Sequence, residues 1–135
     1  MSNPTKALIQ RYYSSFNAGD MGGMLALLSD DMRHDVNQGP SRFGKTAFAE
    51  FCVHMAKCYR ERLDHIVIMV SEDGTRAAAE FLVHGEYLAT DEGLPPAKGQ
   101  RYTLPAGAFF EVAGGLIRRV TTFYNLPEWT RQVSR

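Results

Sequence analysis

In the first sixty residues the apolar positions recur every three or four residues; from about Leu63 they alternate instead. The first pattern predicts helices and the second predicts strands. Leu8, Ile9, Tyr12 and Phe16 form one stripe behind Asn3-Pro4, a capping side chain followed by a residue tolerated at a helix start. Asn17-Ala18-Gly19 closes that helix, and Asp20 can cap a short second one with Met24, Leu25 and Leu28 on its buried face. Gly22-Gly23 weakens this second helix by about 1 kcal/mol per glycine relative to alanine, so packing must hold it. Residues 32–37 predict a short strand that ends at Gln38-Gly39-Pro40. A third helix is predicted over about 45–60, where Phe48, Phe51, Cys52, Met55 and Tyr59 make a continuous apolar face.

Residues 66–70 are a strand run, and Glu72-Asp73-Gly74 a turn. In the strand predicted over 75–89, Ala79, Phe81, Val83, Gly85 and Tyr87 share one face. Glu80, Leu82, His84 and Glu86 share the other. Gly85, inside a strand, marks a bend or a close backbone approach. The segment 90–98 contains Pro95-Pro96, cannot be a strand, and should lie at a rim. The strongest local signal is the hairpin of 102–112 and 116–125 about Ala113-Gly114-Gly115. Pro127 starts a last short helix that carries Trp129.

Helices first and long strands afterwards make an α+β pattern. The expected architecture is a cone-shaped, curved antiparallel sheet of about four long strands plus a short first strand, covered by three helices. Residues 1–135 form a single domain by length. Helices on one face of a curved sheet leave a space suited to a small, partly apolar molecule.

Composition narrows the partners. Lys plus Arg and Asp plus Glu number 15 each, which argues against nucleic acid or an anionic membrane surface. No apolar run approaches the roughly 20 residues of a membrane span, and no secretory signal is visible. Cys52 and Cys58 fall six residues apart on one predicted helix, about 9 Å of rise and beyond disulfide reach. Reduced thiols suit a cytoplasmic location.

The densest polar cluster on a predicted strand is His34-Asp35-Val36-Asn37-Gln38. In a regular strand His34 and Val36 face one way, Asp35 and Asn37 the other. His34 titrates near neutrality and suits proton transfer, and Asp35 would do so if burial raised its pKa. The alternative is an edge strand with a solvated polar side. Tyr12, in the first helix's stripe, either points its hydroxyl into the pocket or is a core tyrosine. Tyr87, Tyr102, Thr122, Tyr124 and Asn125 can line the open end, with ordinary sheet packing as the bland account of each. His34, His54, His65 and His84 lack metal-ligand spacing, and no phosphate loop, dinucleotide fingerprint or Ser-His-Asp signature is present. The expectation is no metal and no cofactor.

Gln10-Arg11-Tyr12, Phe16-Asn17-Ala18-Gly19-Asp20, Leu28-Ser29-Asp30-Asp31, and Gly44 before a helix together resemble the nuclear transport factor 2-like superfamily. That superfamily includes ketosteroid isomerases and SnoaL-like polyketide cyclases, and the Gly-Gly hairpin fits it as well. In ketosteroid isomerase a first-helix tyrosine and a protonated late-strand aspartate form the oxyanion hole, and a first-strand aspartate moves the proton. The resemblance places Tyr12 on the tyrosine, Val36, next to Asp35, on the base, and the region of Gly107 on the late acid. It implies the fold, a pocket, and a dimer packed sheet on sheet through the face of Glu80, Leu82, His84 and Glu86. Three readings stay open: a cofactor-free isomerase or cyclase using Tyr12 with His34 or Asp35, a ligand-binding module, and a dimerisation scaffold with a filled interior.

Overall fold

The computed structural model describes residues 3–37 and 39–135; Gln38 of the predicted turn lies outside the described residues. Among the described residues four helices and six strands follow in the order α1 (Pro4–Asn17), α2 (Met21–Leu25), β1 (Leu28–Val36), β2 (Arg42–Phe43), α3 (Lys45–Cys58), β3 (Tyr59–Val70), β4 (Arg76–Tyr87), β5 (Arg101–Ala113), β6 (Leu116–Tyr124) and α4 (Leu126–Val133).

The helix starts are those the capping residues dictate. Asn3 Oδ1 accepts from the Thr5 and Lys6 amides at 3.1 Å, and Asp20 Oδ1 accepts from Gly23 N at 2.9 Å. Gly23 has its own reason: a Cβ there would sit 2.4 Å from the capping carboxylate of Asp20. The helix penalty of this glycine is thus offset by the cap it admits. At the β5–β6 turn Gly114 and Gly115 have φ of 59° and 76°, the left-handed conformations a two-residue hairpin loop requires.

The sheet order is β2-β1-β6-β5-β4-β3. It is mixed and unclosed, which corrects the expectation of an antiparallel sheet. β1 runs parallel to β6, with His34 opposite Val120 and Val36 opposite Thr122. Side-chain alternation determines which face a residue takes, but it carries no information on which strand lies alongside or which way it runs. β5 occupies one edge of β6, and the other edge is free for β1 when it returns beneath α1 and α2. The first strand is also longer than expected, beginning at Leu28, and a two-residue β2 pairs beyond it.

A second difference matters more for the site. The chain passes from α3 to β3 without a loop: Tyr59 is already extended, at φ −137° and ψ 145°. Its apolar ring fits the helical stripe by spacing, yet it is a strand residue. Tyr59, Glu61 and Leu63 therefore face the interior, while Arg60 and Arg62 face out. Asn17 locks this strand to α1 by donating to Leu63 O and accepting from Leu63 N, both at 2.9 Å. The core lies between α1 and the concave face of the sheet. There Tyr12 and Tyr13 meet the Phe110 ring edge-on, at centroid distances of 5.7 and 6.0 Å.

Candidate functional site

The concave face and its helices enclose a cavity of about 720 Å³, within the 300–1,000 Å³ usual for small-molecule sites. The interior is therefore not filled. Aromatic and aliphatic side chains from α1, α3 and the sheet form most of its wall. Its polar groups gather at two ends.

The first end is built by β1 and β2. His34, with 3% of its surface exposed, stands opposite Arg42, so both side chains point the same way. Phe48 and Phe51, one helical turn apart on α3, hold the imidazole edge to ring at 4.8 and 4.6 Å. The Arg42 guanidinium lies 5.0 Å from the Phe51 ring centroid, a cation–π contact. His34 Nδ1 is buried without a hydrogen-bond partner among the described residues. Burial first, and the Arg42 cation second, lower the His34 pKa to about 4 against a weaker upward pull from Asp35. The ring is thus neutral at pH 7, with a lone pair available. Tyr12 lines the same cavity, and burial holds its hydroxyl pKa well above the usual value, so it stays a donor.

Asp35 is not part of this end. It faces the outer side of the sheet, where its Oδ1 accepts from Arg33 Nε at 2.9 Å and its Oδ2 from Thr121 Oγ1 at 2.7 Å. Ser41 donates to the same Oδ1. Burial pushes the Asp35 pKa up, but these bonds outweigh it and hold the group at about 2. A carboxylate so paired is a strut between β1, β6 and the β2 loop, and the regular pleat accounts for its direction.

The second end is built by β3, β4, β5 and α4. Glu61, Gly85 and Tyr102 stand side by side on three neighbouring strands. Gly85 lets the Tyr102 ring lie across the middle strand: a Cβ at Gly85 would sit 2.1 Å from Tyr102 Cζ. Tyr102 Oη then reaches Glu61 Oε2 at 2.6 Å. Burial raises the Glu61 pKa against the opposing pull of that hydrogen bond. Beside it, Tyr59 Oη donates to Asp91 Oδ2 at 2.7 Å, and His54 Nε2 lies 2.8 Å from Asp91 Oδ1. Trp129 packs edge-on against Tyr59, Tyr87 and Tyr102 and closes this end.

Of the expected wall residues, Thr122 and Tyr124 line the cavity. The others have different work. Tyr87 Oη donates to Pro95 O at 2.6 Å and accepts from Asp91 N at 3.0 Å, pinning the 90–98 loop at the rim. Tyr102 stands behind Glu61. Asn125 caps α4 by accepting from Glu128 N, and exposed Asn37 accepts from Tyr124 N at 3.4 Å. These four, like Asp35, do not line the cavity, because each side chain is used to hold backbone or a neighbour in place.

His54, Cys58 and Asp91 bring donor atoms within 4.8 Å of one another, a grouping that spacing along the chain did not suggest because Asp91 comes from a distant loop. Both Asp91 oxygens already have partners in Tyr59 and His54, so the group is a hydrogen-bonded latch between α3 and the loop. Sequence reasoning also missed Arg42, Tyr59, Glu61 and Asp91. The Gly85 signal pointed to a side chain lying over the strand, which is Tyr102, and only through that ring to Glu61.

A curved sheet wrapped around a pocket, with helices over its concave face, is the architecture of the nuclear transport factor 2-like proteins. Residues 9–120 match the SnoaL-like domain family, and the chain belongs to that family. It is similar to a proposed polyketide cyclase of Pseudomonas putida KT2440, with 58% identity over 98% of this chain and 99% of that one, and a TM-score of 0.94. A proposed polyketide cyclase of Silicibacter sp. TM1040 gives 56% identity over 98% and 97% of the two chains, and a TM-score of 0.96. A protein of unknown function from Burkholderia pseudomallei K96243, described as NTF2-like, shares the fold at 19% identity over all of both chains, with a TM-score of 0.80. No curated protein matches the chain closely enough to carry an argument.

Proposed function

We propose that the protein is a cofactor-free enzyme that moves a proton next to a carbonyl of a small, partly apolar substrate, in the manner of an isomerase or cyclase. The observation that carries this reading is a neutral, buried imidazole sharing one aromatic cavity with a protonated tyrosine and an arginine. His34 takes the proton from the carbon next to the carbonyl. The enolate oxygen so formed accepts from Tyr12 Oη and is offset in charge by Arg42. Returning the proton to another carbon gives an isomer. Attack of the enolate carbon on a second carbonyl forms a ring, and that oxygen then takes up a proton. Such a step needs a base and an oxyanion donor and no further group. Two relatives above 50% identity described as proposed polyketide cyclases support it.

The test uses 2-acetylnaphthalene, an apolar ketone with an exchangeable methyl group. In D₂O the wild type exchanges those methyl hydrogens by NMR, and His34→Ala slows the exchange about 100-fold or more. Binding of the ketone without exchange would favour a ligand-binding module. One observation supports that second reading: the region of Gly107 supplies no late-strand acid, and Gly107 itself packs toward Ala79 O on the outward register.

We also propose a homodimer through the outer face of the sheet. Phe109 and Phe123 are 49% and 44% exposed there and touch edge to face at 5.7 Å, beside the Glu80, Leu82, His84 and Glu86 side of β4. Sedimentation of a dimer, reduced to monomer by Phe109→Asp, is the expected outcome.

A further inference from the structure

The far end of the cavity is as constructed as the near one, and the proton transfer does not use it. Glu61 lines the cavity on the strand that follows α3, whereas His34 packs against Phe48 and Phe51 in the helix's first half. The two groups therefore lie on parts of the wall reached from opposite ends of α3. No ion pair among the described residues involves Glu61. Its one hydrogen bond among the described residues comes from Tyr102, which reaches it only because β4 carries glycine at position 85. A carboxyl set among aromatic rings with no cation paired to it favours its neutral form, which costs less to desolvate. In that form Oε2 accepts from Tyr102, and Oε1 carries a hydrogen directed to whatever else fills the cavity.

We infer that the Glu61–Gly85–Tyr102 bridge is a second ligand-recognition site. Un-ionised Glu61 donates to a hydroxyl or carbonyl oxygen at the distal end of the substrate. The substrate class is therefore an elongated, ring-containing compound with an apolar middle and an oxygen function at each end. A simple ketone, with oxygen at one end alone, satisfies only half of the site. The inference rests on the proposed reading for the ketone end; the bridge itself does not depend on turnover. A site built to hydrogen-bond a ligand oxygen rejects the analogue that lacks it, because its own polar group is then left unpaired.

The experiment compares 2-acetylnaphthalene with 6-hydroxy-2-acetylnaphthalene, which adds an oxygen on the far ring. Binding is read by quenching of Trp129, the chain's single tryptophan, and by calorimetry. The wild type is expected to bind the hydroxylated compound about tenfold more tightly. Glu61→Leu should bring the ratio near one, Glu61→Gln should keep most of it because an amide is also a neutral donor, and Tyr102→Phe should fall between. Infrared spectra at pH 7 should show the carbonyl band of an un-ionised carboxylic acid that disappears in Glu61→Gln. A ratio near one in the wild type, a ratio unchanged by Glu61→Leu, or a missing acid band overturns the inference. Tight binding without preference defeats this inference alone, whereas failure of both compounds to bind defeats it together with the ketone reading.

Discussion

At the β1 end of the cavity a titratable group is buried and left underpartnered; at the β3 end titratable groups are half-buried and paired. His34 is surrounded by two phenylalanine edges, faces a cation, and keeps Nδ1 without a hydrogen bond. Glu61 and Asp91 each receive a tyrosine hydroxyl, at 2.6 and 2.7 Å. In the first arrangement the neutral base is favoured because protonation would bury a second positive charge beside Arg42. In the second the acidic group is oriented at the expense of its freedom. An unsatisfied buried nitrogen costs stability, so its presence opposite a donor-lined pocket marks a place where reactivity outweighs economy of folding.

The sharpest way to break this contrast is to remove its reactive half. His34→Phe extends the aromatic packing without the lone pair. Exchange of the ketone methyl should fall about 100-fold or more, while stability at neutral pH should not decrease, since an unpaired polar atom is replaced by carbon. Loss of stability above about 2 kcal/mol, measured by urea midpoint, would show that His34 is a structural residue instead.

The next effect is on the paired half. Gly85→Ala forces a Cβ into the Tyr102 ring, so the ring must leave Glu61 or β4 must shift. The expected loss is about 1–3 kcal/mol by thermal or urea denaturation. Tyr102→Phe removes only the hydroxyl and should cost about 1 kcal/mol. An equal loss for both variants would mean that the hydrogen bond, and not the close approach, is the main contribution.

The pH dependence separates the two ends by sign. The folded His34 pKa of about 4 lies below its ordinary 6.5, so the unfolded chain binds the proton first. His34 then contributes stability that is complete above pH 6.5 and is lost as pH falls toward 4, about 3 kcal/mol in all. Asp35, held at about 2 from an ordinary 3.8, loses its contribution only below that window. The wild type should therefore weaken between pH 6.5 and 4.5 relative to His34→Phe, measured by urea midpoints of both proteins. Exchange activity should stay level over this range and decline below it with an apparent pKa near 4.

The smallest expected effect is at the latch. Tyr59→Phe leaves Asp91 Oδ2 without its hydroxyl donor, and should cost about 1 kcal/mol or less. Faster hydrogen exchange confined to the 90–98 loop would locate the effect at the rim of the cavity.

Much of the architecture was readable along the chain because it depends on local rules. Asn3, Asp20 and the Gly114-Gly115 turn act through the backbone of their immediate neighbours, and the alternation of β4 and β5 needs only a pleat. His34 and Tyr12 were readable as candidates for the same reason, since each lies on a face whose direction is set by period. Glu61 was hidden because the helical and extended periods overlap at Tyr59, and the helix was read two residues too far. Arg42 was hidden because a two-residue strand has no period.

The order of residues by itself determined an α+β chain, its turns and caps, and which side of each strand looks inward, since all of these follow from contacts within a few positions. Only the tertiary structure decided that β1 lies parallel to β6, that a glycine in β4 lets Tyr102 reach Glu61 across three strands, and that His34 rather than Asp35 meets the cavity. Those outcomes depend on contacts between residues far apart in the chain, 86 positions for Thr121 and Asp35, for which neighbouring letters carry no signal.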